Sequence, residues 1–432
     1  MKTEVDSTGS QNANPQPPFA SLTSHGRTHN EIINNVVDYI INDLKVNPRD
    51  ITPEEMEHEV IALLEEQFSL ENAMRPKGAK YTPPHALPPD VIAELMVALY
   101  HIRKITFSGL FGNEEYDLIG IYVDVGPNKG IYTTSETELK KVARRFNRRL
   151  AKKDFDAIMF ALNAIVPRTE RCTDRDLIAV NNGIVDYKSK KLLPFTPDLV
   201  FTAKCRVDYN PLARNVVIHN PDDGTDWNVE AWMQELSDDP DVVRVLWQII
   251  GAVIRPNVSW DKSAWFCSST GNNGKGTLCE LMRNLCGAGS YSSISLADFS
   301  KDFALEPLIR STAIIVDEND VGGYLDKVAN LKAVVTNDVV AINRKFKTPI
   351  AYQFYGFMVQ CLNEMPRTKD RSGSFYRRQL IIPFDKCYTG KERKYIKDYY
   401  LKRTDVLEYV LKRVITMDDY YELDVPEICK QA

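Results

Sequence analysis

Residues 264–285 join a short apolar stretch, a glycine-rich loop and an amphipathic helix, and this arrangement restricts the folds open to the chain. The stretch at 264–267 predicts a buried strand, and the loop at 268–277 reads SSTGNNGKGT. Glycines let the backbone wrap tightly, so that consecutive N–H groups can point at phosphate oxygens. The helix that follows adds partial positive charge at its N-terminus. The segment therefore predicts a phosphate-binding loop in an α/β protein.

Lys275 is the residue of this loop that would neutralise the β- and γ-phosphates of a nucleotide. The loop departs from the strict pattern G-x-x-x-x-G-K-[ST] twice, because Ser269 replaces the first glycine and Gly276 follows the lysine. Thr277 supplies a hydroxyl one residue late and is a candidate Mg²⁺ ligand. The alternative is an ordinary glycine-rich turn with an exposed lysine. The candidate nucleotide-binding residues are Gly271, Asn272, Asn273, Gly274, Lys275, Gly276, Thr277 and Leu278.

A second apolar stretch, TAIIVDE at 312–318, ends in two acids, Asp317 and Glu318. Beside a phosphate loop, one carboxylate can hold Mg²⁺ through water, and a second can accept a proton from the attacking water. We assign the metal role to Asp317 and the catalytic-base role to Glu318, although strands also often end in exposed acids without a function. A further apolar stretch at 357–362 ends at Asn363, which could hydrogen-bond the γ-phosphate or the water.

Composition excludes several classes of protein. The chain has 432 residues and a formal net charge of −5, which argues against a uniformly basic nucleic-acid coat but allows local basic patches. Its eight cysteines are scattered singly, so a disulfide framework or zinc module has little support. The longest nearly apolar run, at 245–254, is too short to span a bilayer, and no secretory leader opens the sequence. These features predict a cytoplasmic protein with reduced thiols and no membrane partner.

Composition and hydrophobic periodicity divide the sequence into six segments. They are a disordered arm at 1–28, a helical segment at 29–75, a proline-rich linker at 76–89, an α+β lead-in and helical collar at 90–254, an α/β core at 255–390 and a helical segment at 391–432. Thr52 is expected to cap a helix that has Pro53 at its first position. Other helices are predicted over 30–45, 90–104, 135–152 and 228–254, and short strands over 105–134 and 177–210.

Residues 140–153 carry eight basic side chains and no acidic one. On a helix, Val142, Phe146 and Leu150 would form an apolar stripe that leaves the charges facing outward together. Like charges at helical spacing repel one another, so the run favours an anionic partner over a merely solvated helix face. We predict that this segment contacts the DNA backbone without reading bases. Its candidate contact residues are Arg144, Arg145, Arg148 and Arg149.

The ordered motifs resemble those of the superfamily-3 helicases, and more closely the phage, plasmid and poxvirus primase–helicase branch. In that family a Walker A loop, an acidic Walker B strand, a lysine-bearing DNA-contacting hairpin, a sensor asparagine and an arginine finger follow one another. The segment at 176–198 also looks like the lead-in module upstream of that ATPase, and the resemblance covers about residues 90–425. The matching residues are Gly274-Lys275-Gly276-Thr277, Asp317-Glu318, Arg344-Lys345-Phe346-Lys347, Asn363, and Arg377 or Arg378.

The resemblance implies an AAA+-like P-loop NTPase core at 255–390, preceded by an α+β region. It also implies ATP and Mg²⁺ as cofactors and a homo-hexameric ring in which an arginine finger completes the neighbouring subunit's site. Arg377 and Arg378 are the finger candidates, and in a strand they would point to opposite faces. The sequence at 124–126 lacks the second acid of a primase D-x-D motif, so no priming activity is expected.

The resemblance further implies that Arg344, Lys345 and Lys347 contact DNA from a hairpin, in which Lys345 and Lys347 would share one face. The expected function is an ATP-dependent DNA helicase that replicates a phage or related mobile element in the cytoplasm of a bacterial host. Its partners would be single-stranded and forked duplex DNA, with primase or replication-initiation proteins. The alternatives are an origin-binding initiator or assembly protein with a nucleotide site, and a nucleotide kinase suggested by the GKGT ending.

Overall fold

The computed structural model describes residues 26–320, 324–325, 327–370, 372–418, 422–423 and 425–431. Most of the predicted disordered arm, residues 1–25, lies outside the described residues. At the end of that segment, Arg27 pairs with Glu71 at 3.2 Å, which ties residue 27 to a helix. Across the described ranges, every helix is too short or too polar to cross a lipid bilayer.

Three helices open the described chain, and two of them begin with a capping box. Thr28 and Thr52 each accept a hydrogen bond from the backbone N–H three residues on, and the Glu31 and Glu55 carboxylates accept one from the backbone N–H of the threonine. The predicted helix start at Thr52 is therefore confirmed, with Pro53 in the first turn. The apolar faces of these helices share one buried cluster. The helices are α1 (His29–Val46), α2 (Pro53–Ala73) and α3 (Pro89–Leu99).

A four-stranded sheet and two helices follow. The sheet has the order β3-β2-β1-β4, in which β4 runs parallel to β1 and the other pairs are antiparallel. The elements are β1 (Ile102–Thr106), β2 (Leu118–Tyr122), β3 (Tyr132–Thr133), α4 (Glu136–Phe146), α5 (Lys152–Ile165) and β4 (Arg168–Glu170).

Two predicted helices in this region have the wrong ends. The helix expected over 135–152 stops at Phe146, because Asn147 takes an extended backbone conformation with φ −152° and ψ 103°. The helix expected over 90–104 stops at Leu99, and the β-branched residues Ile102 and Ile105 belong to a strand. Hydrophobic spacing alone did not locate these ends, because apolar residues continue in register past both of them.

Short antiparallel strands and two helices connect this sheet to the core. The strands predicted between 177 and 210 are present as a three-stranded sheet that ends at Leu193. The helices predicted between 228 and 254 are present as a pair broken near Pro240. The elements are β5 (Leu177–Val180), β6 (Gly183–Asp186), β7 (Lys191–Leu193), β8 (Ile218–His219), β9 (Asp226–Trp227), α6 (Val229–Glu235) and α7 (Pro240–Ile254).

The remaining elements form the core and the C-terminal segment. The strands are β10 (Ser263–Cys267), β11 (Tyr291–Ser292), β12 (Ala313–Val316), β13 (Tyr324–Leu325), β14 (Val339–Arg344), β15 (Lys347–Gln353), β16 (Phe357–Leu362), β17 (Arg367–Thr368) and β18 (Gln379–Pro383). The helices are α8 (Lys275–Cys286), α9 (Ala329–Val335), α10 (Gly373–Tyr376), α11 (Lys394–Asp398), α12 (Thr404–Ile415) and α13 (Glu427–Gln431).

A five-stranded parallel sheet is the centre of the core, with the order β11-β12-β16-β10-β18. Successive side chains alternate between its faces: Phe266 joins the apolar cluster that contains α7, α8 and α12, and Trp265 joins the cluster on the other face. Because β16 lies between β10 and β12, the residues that follow these three strands meet at one edge. The structure confirms the predicted fold class, an α/β protein whose core is a parallel sheet that follows an α+β region.

Candidate functional site

The glycine-rich loop connects β10 to α8, as its sequence predicted. Asn272 and Gly274 have left-handed backbone conformations, with φ of 52° and 90°. A side chain at Gly274 would also place its Cβ 2.7 Å from the Leu236 side chain, so glycine is required here for two reasons. Asn273 is buried, and its Oδ1 accepts a hydrogen bond from the Lys275 backbone N–H at 3.3 Å. The loop is therefore fixed in a wrapped conformation.

Lys275 begins α8 and points back to the carboxyl edge of the sheet. Its Nζ donates to the Leu362 carbonyl at 3.0 Å, to Asn363 Oδ1 at 3.1 Å and to the Ser268 carbonyl at 3.4 Å. Burial lowers the pKa of Lys275 from its usual value, while nearby cysteine thiols oppose this effect. The structure thus joins the predicted phosphate-binding lysine to the predicted sensor asparagine.

The two predicted acids follow β12, next to β16 in the sheet. Arg283 of α8 holds the Asp317 carboxylate with two contacts of 2.9 and 3.1 Å, and these hydrogen bonds lower the pKa of Asp317. Glu318 is exposed. Sequence reasoning missed Arg283, because only its position two helical turns beyond Lys275 could have placed it on the face of α8 that meets β12.

Asn319, a second residue that the sequence analysis missed, follows the acids and is buried. Its Nδ2 donates to Gln360 Oε1 and to the Cys361 carbonyl, both at 3.0 Å, and its Oδ1 accepts from the Leu296 N–H at 3.0 Å. These bonds lock the end of β12 to β16. The asparagine directly after Asp317-Glu318 was its only signal in the sequence.

A cavity of about 450 Å³ opens beside the loop, a size within the range of small-ligand sites. Its walls come from the loop, from α6 and from the chain that follows β18. The Tyr388 hydroxyl donates to the Glu235 carbonyl at 2.6 Å, and its side chain also lines this cavity. The lining includes Trp232, Leu236, Asn272, Asn273, Gly274, Gly276, Thr277, Tyr388 and Lys397.

The predicted nucleotide-binding residues do not all face this cavity. Leu278 has its side chain in the core, and its backbone N–H bonds to the Gly274 carbonyl at 2.9 Å within α8. Thr277, by contrast, lies in the cavity wall. Across the described ranges, no group of three or more His, Cys, Asp or Glu side chains could hold a metal ion by itself. The oxygen donors of Thr277 and Asp317 fit Mg²⁺, which in nucleotide sites is also held by phosphate oxygens and water.

The two candidate finger arginines do not lie in a strand, so their predicted alternation across a sheet is wrong. Arg377 caps the C-terminal end of α10, and Arg378 precedes β18. Arg377 is exposed, whereas Arg378 is half-buried and its Nη1 donates to the Ser374 carbonyl at 2.6 Å. The tight turn after the four-residue helix α10 produces this difference. The sequence analysis extended the apolar strand that follows back over both arginines and so did not predict the turn.

The predicted hairpin is present as β14 and β15, but the assignment of its faces is wrong. Arg344 and Lys347 are paired across the two strands and so share one face. Lys345 and Phe346 form the two-residue tip, where Phe346 has a φ of 58° and is 96% exposed. Lys347 Nζ lies 2.7 Å from the Glu136 carboxylate. The two-residue turn breaks the strand alternation on which the prediction relied.

The basic run is divided between α4, the loop that follows and the first turn of α5. Arg145 makes a two-pronged contact with Glu54 of α2, with both Nε and Nη2 at 2.9 Å from its oxygens. Arg144 donates to the Arg148 carbonyl at 2.9 Å. Lys141 pairs with Glu138 at 2.7 Å. The predicted uniform basic helix face is therefore absent: its arginines occupy two elements, and acids from outside the run neutralise part of the charge.

The loop between β10 and α8 has the strand–loop–helix arrangement that a phosphate-binding loop requires, and parts of the chain match known families. Residues 93–238 match the family described as "D5 N terminal like", and residues 266–378 match a family of unknown function, DUF5906. The first match contains the segment that resembles the lead-in module of primase–helicases. The two matches, in this order, confirm the resemblance to superfamily-3 helicases of the primase–helicase type. At this coarse level, the domains are those of a replication helicase.

Solved structures include distant likenesses. The apo structure of the NrS-1 C-terminal region is 14% identical, with 80% of this chain and 74% of that chain covered and a TM-score of 0.44. A JCV helicase bound to a thiazolopyridine acetamide compound is 18% identical, with 43% and 52% of the two chains covered and a TM-score of 0.28. Because both TM-scores are below 0.5, no functional conclusion rests on these likenesses.

Proposed function

We propose that this chain is an ATP-driven DNA helicase that replicates a phage or related mobile element, working as a ring in the cytoplasm of a bacterial host. The observation that carries the proposal is the 3.1 Å contact between Lys275 Nζ and Asn363 Oδ1. A phosphate-binding lysine and an amide able to sense the γ-phosphate thus meet at the ends of neighbouring parallel strands, beside the strand that ends at Asp317. The cavity next to them supports binding of a nucleoside triphosphate.

In this proposal Lys275 stabilises the charge of the terminal phosphates. Glu318 accepts a proton from the water that attacks the γ-phosphorus, the bond to the bridging oxygen breaks, and ADP and inorganic phosphate leave. Mg²⁺, when bound, would neutralise part of the phosphate charge, and Thr277 and Asp317 are the residues that would hold it. Arg283 keeps the Asp317 carboxylate ionised and oriented, since its hydrogen bonds favour the charged form.

Arg377 is the finger residue that this proposal assigns, in preference to Arg378. Within the described residues the Arg377 side chain makes no hydrogen bond or ion pair, and it is exposed. Arg378 already uses its guanidinium inside its own subunit. A finger must reach a neighbouring subunit's phosphates, so the free guanidinium is better suited to the role. An arginine supplied in trans contributes on the order of 10³-fold or more to the rate of phosphoryl transfer.

The hairpin tip is the proposed contact with the DNA strand in the ring channel. Lys345 supplies positive charge there, and the exposed ring of Phe346 offers a surface on which a base can stack. A Lys345→Ala variant should keep basal ATPase activity but lose DNA stimulation and the unwinding of a forked duplex. Normal unwinding by this variant would refute the hairpin assignment.

A DNA-stimulated ATPase assay tests the proposal as a whole. Lys275→Ala should abolish ATP turnover, whereas Glu318→Gln should keep ATP binding and lose hydrolysis. A nucleotide kinase would instead transfer phosphate to a second nucleotide, and an initiator that only binds nucleotide would not turn over. Mixing Arg377→Ala and Lys275→Ala subunits tests the ring. At some interfaces of a mixed ring an intact Lys275 meets an intact Arg377, so part of the ATPase activity should return. Strictly additive activities in the mixture would argue against a shared site.

A further inference from the structure

The chain that follows β18 crosses back over the phosphate loop and is anchored both to that loop and to the C-terminal end of α8. Near the loop, the Tyr388 backbone N–H donates to the Asn272 carbonyl at 2.8 Å, and Asn272 Nδ2 donates to Glu392 Oε1 at 3.1 Å. At the other end of α8, Asn284 Nδ2 donates to the Leu401 carbonyl at 3.0 Å. Helix α11 lies between these anchors, so its side chains have a fixed position relative to the loop.

Lys397 of α11 reaches the first turn of α8. A Cβ atom added to Gly276 would lie 3.8 Å from Lys397 Nζ, and both residues line the cavity beside the loop. The positive charge of Lys397 also lowers the pKa of Asp317, although the hydrogen bonds from Arg283 contribute more. The first relation places the Lys397 ammonium beside the first turn of α8, in the wall of the cavity.

Among the described residues, the Lys397 ammonium has no hydrogen-bonded or ion-paired partner. Its side chain is partly buried. A partly buried ammonium with no hydrogen-bonded partner can donate to an anionic ligand that enters the cavity. Gly276 belongs to the first turn of α8, and the backbone N–H groups of that turn also favour an anion. Both features select a ligand with negative charge at this point.

Gly276 explains why the space is available. In the strict phosphate-loop pattern this position carries a serine or threonine hydroxyl, and here there is no side chain. We propose that Lys397 occupies this space as a second phosphate-binding lysine and contacts the terminal phosphates of the nucleotide held by its own subunit. The inference rests on the proposed nucleotide site, and it makes the C-terminal segment part of that site. The ligands it selects are nucleoside di- and triphosphates rather than monophosphates.

Equilibrium binding of fluorescent ATP, ADP and AMP analogues to the full chain tests this proposal, with EDTA and with Mg²⁺. Lys397→Met should weaken ATP and ADP binding about tenfold, the usual size of one charge-assisted contact, and leave AMP binding unchanged. The loss should persist in EDTA, since the contact needs no metal ion. Lys397→Arg should keep most of the affinity, because it keeps the charge. Lys402→Met is the matched control, a lysine of the same segment that does not line the cavity.

The outcomes separate this inference from the proposed function. If the wild-type chain binds and hydrolyses ATP but Lys397→Met binds ATP and ADP normally, the assignment of Lys397 is wrong and the proposed function stands. An equal loss for ATP, ADP and AMP would also overturn it, because the contact would then not be to the terminal phosphates. Thermal unfolding of Lys397→Met and Lys397→Arg shows whether a loss of affinity comes from misfolding. If Lys397→Arg does not restore binding, a role for the positive charge is refuted. A wild-type chain that binds no nucleotide refutes both.

Discussion

Replacing Asn363 by aspartate should weaken ATP binding more than replacing it by alanine. Asn363 Oδ1 is one of three oxygens around the Lys275 ammonium, at 3.1 Å. Alanine removes that oxygen and leaves two carbonyls, whereas aspartate keeps the shape and adds a full negative charge. The new carboxylate then competes with the γ-phosphate for the same lysine. If Asn363 had no contact with Lys275, the two variants should behave alike.

The expected size follows from the distance. Two unit charges 3.1 Å apart attract each other by about 5 kcal/mol at an effective dielectric constant of about 20. ATP binding does not lose all of this energy, because the Lys275 ammonium can contact the new carboxylate and the γ-phosphate at the same time. A remaining cost of about 2–3 kcal/mol corresponds to a loss of ATP affinity of about 30- to 150-fold for Asn363→Asp. Asn363→Ala should lose about tenfold, which corresponds to about 1.5 kcal/mol, the lower end of the range for one hydrogen bond to a charged group.

Titration of a fluorescent ATP analogue into each variant measures these affinities, and a pH series adds an independent readout. Burial lowers the pKa of Lys275, so wild-type ATP affinity should fall at alkaline pH before an ordinary lysine would lose its proton. The carboxylate that Asn363→Asp introduces would raise the pKa of Lys275 and move this fall to higher pH. Equal affinities for the alanine and aspartate variants, with the same pH profile, would refute the reasoning.

Three further predictions concern stability and the hairpin. Gly356→Ala should destabilise the fold by about 2 kcal/mol or more in urea unfolding, because its Cβ would lie 2.1 Å from a backbone carbonyl oxygen, whereas Gly373→Ala, with nothing within 4 Å, should be nearly neutral. Burial lowers the pKa of Lys204 to about 8, below the unfolded value of about 10.4, so the native state releases its proton first. Between pH 8 and about pH 10 the free energy of unfolding should therefore rise by about 2–3 kcal/mol relative to Lys204→Met, and parallel curves would contradict this. Glu136→Gln should free Lys347 from its ion pair at 2.7 Å and strengthen single-stranded DNA binding about two- to fivefold in fluorescence anisotropy; weaker binding would show that the pair helps to present the hairpin.

The sequence predicted the parts of the site that are encoded locally. The loop between β10 and α8 depends on glycine and asparagine at left-handed positions and on the apolar stretches beside it, all within about 20 residues. The same is true of Asp317 and Asn363, which follow buried strands directly. Their meeting at one edge needs only the rule that neighbouring parallel strands end on the same side of a sheet.

Contacts between distant segments could not be predicted in this way. Tyr388 and Asn272 are 116 positions apart, and no periodicity in either segment indicates that their backbones will bond. Arg283 and Asp317 form an ion pair only because α8 packs against β12, which depends on the depth and twist of the whole sheet. The prediction of which hairpin side chains share a face was wrong for a different reason. A two-residue turn exchanges which side chains share a face, and the tract around Phe346 contains no glycine to mark it.

The hairpin and the sensor asparagine belong to one continuous stretch of chain, and this continuity explains how the site and the DNA contact can be coupled. Strand β15 ends at Gln353, and three residues separate it from β16, which is buried along its whole length and is followed directly by Asn363. The bend between the two strands is fixed where Gly356 packs against the Thr312 carbonyl. A strand packed on both faces moves as a unit, since its neighbours leave it no room to deform. In the proposed helicase, a displacement of Asn363 at the phosphates must therefore be accompanied by motion of the hairpin, and the ion pair between Lys347 and Glu136 is a contact that this motion would break.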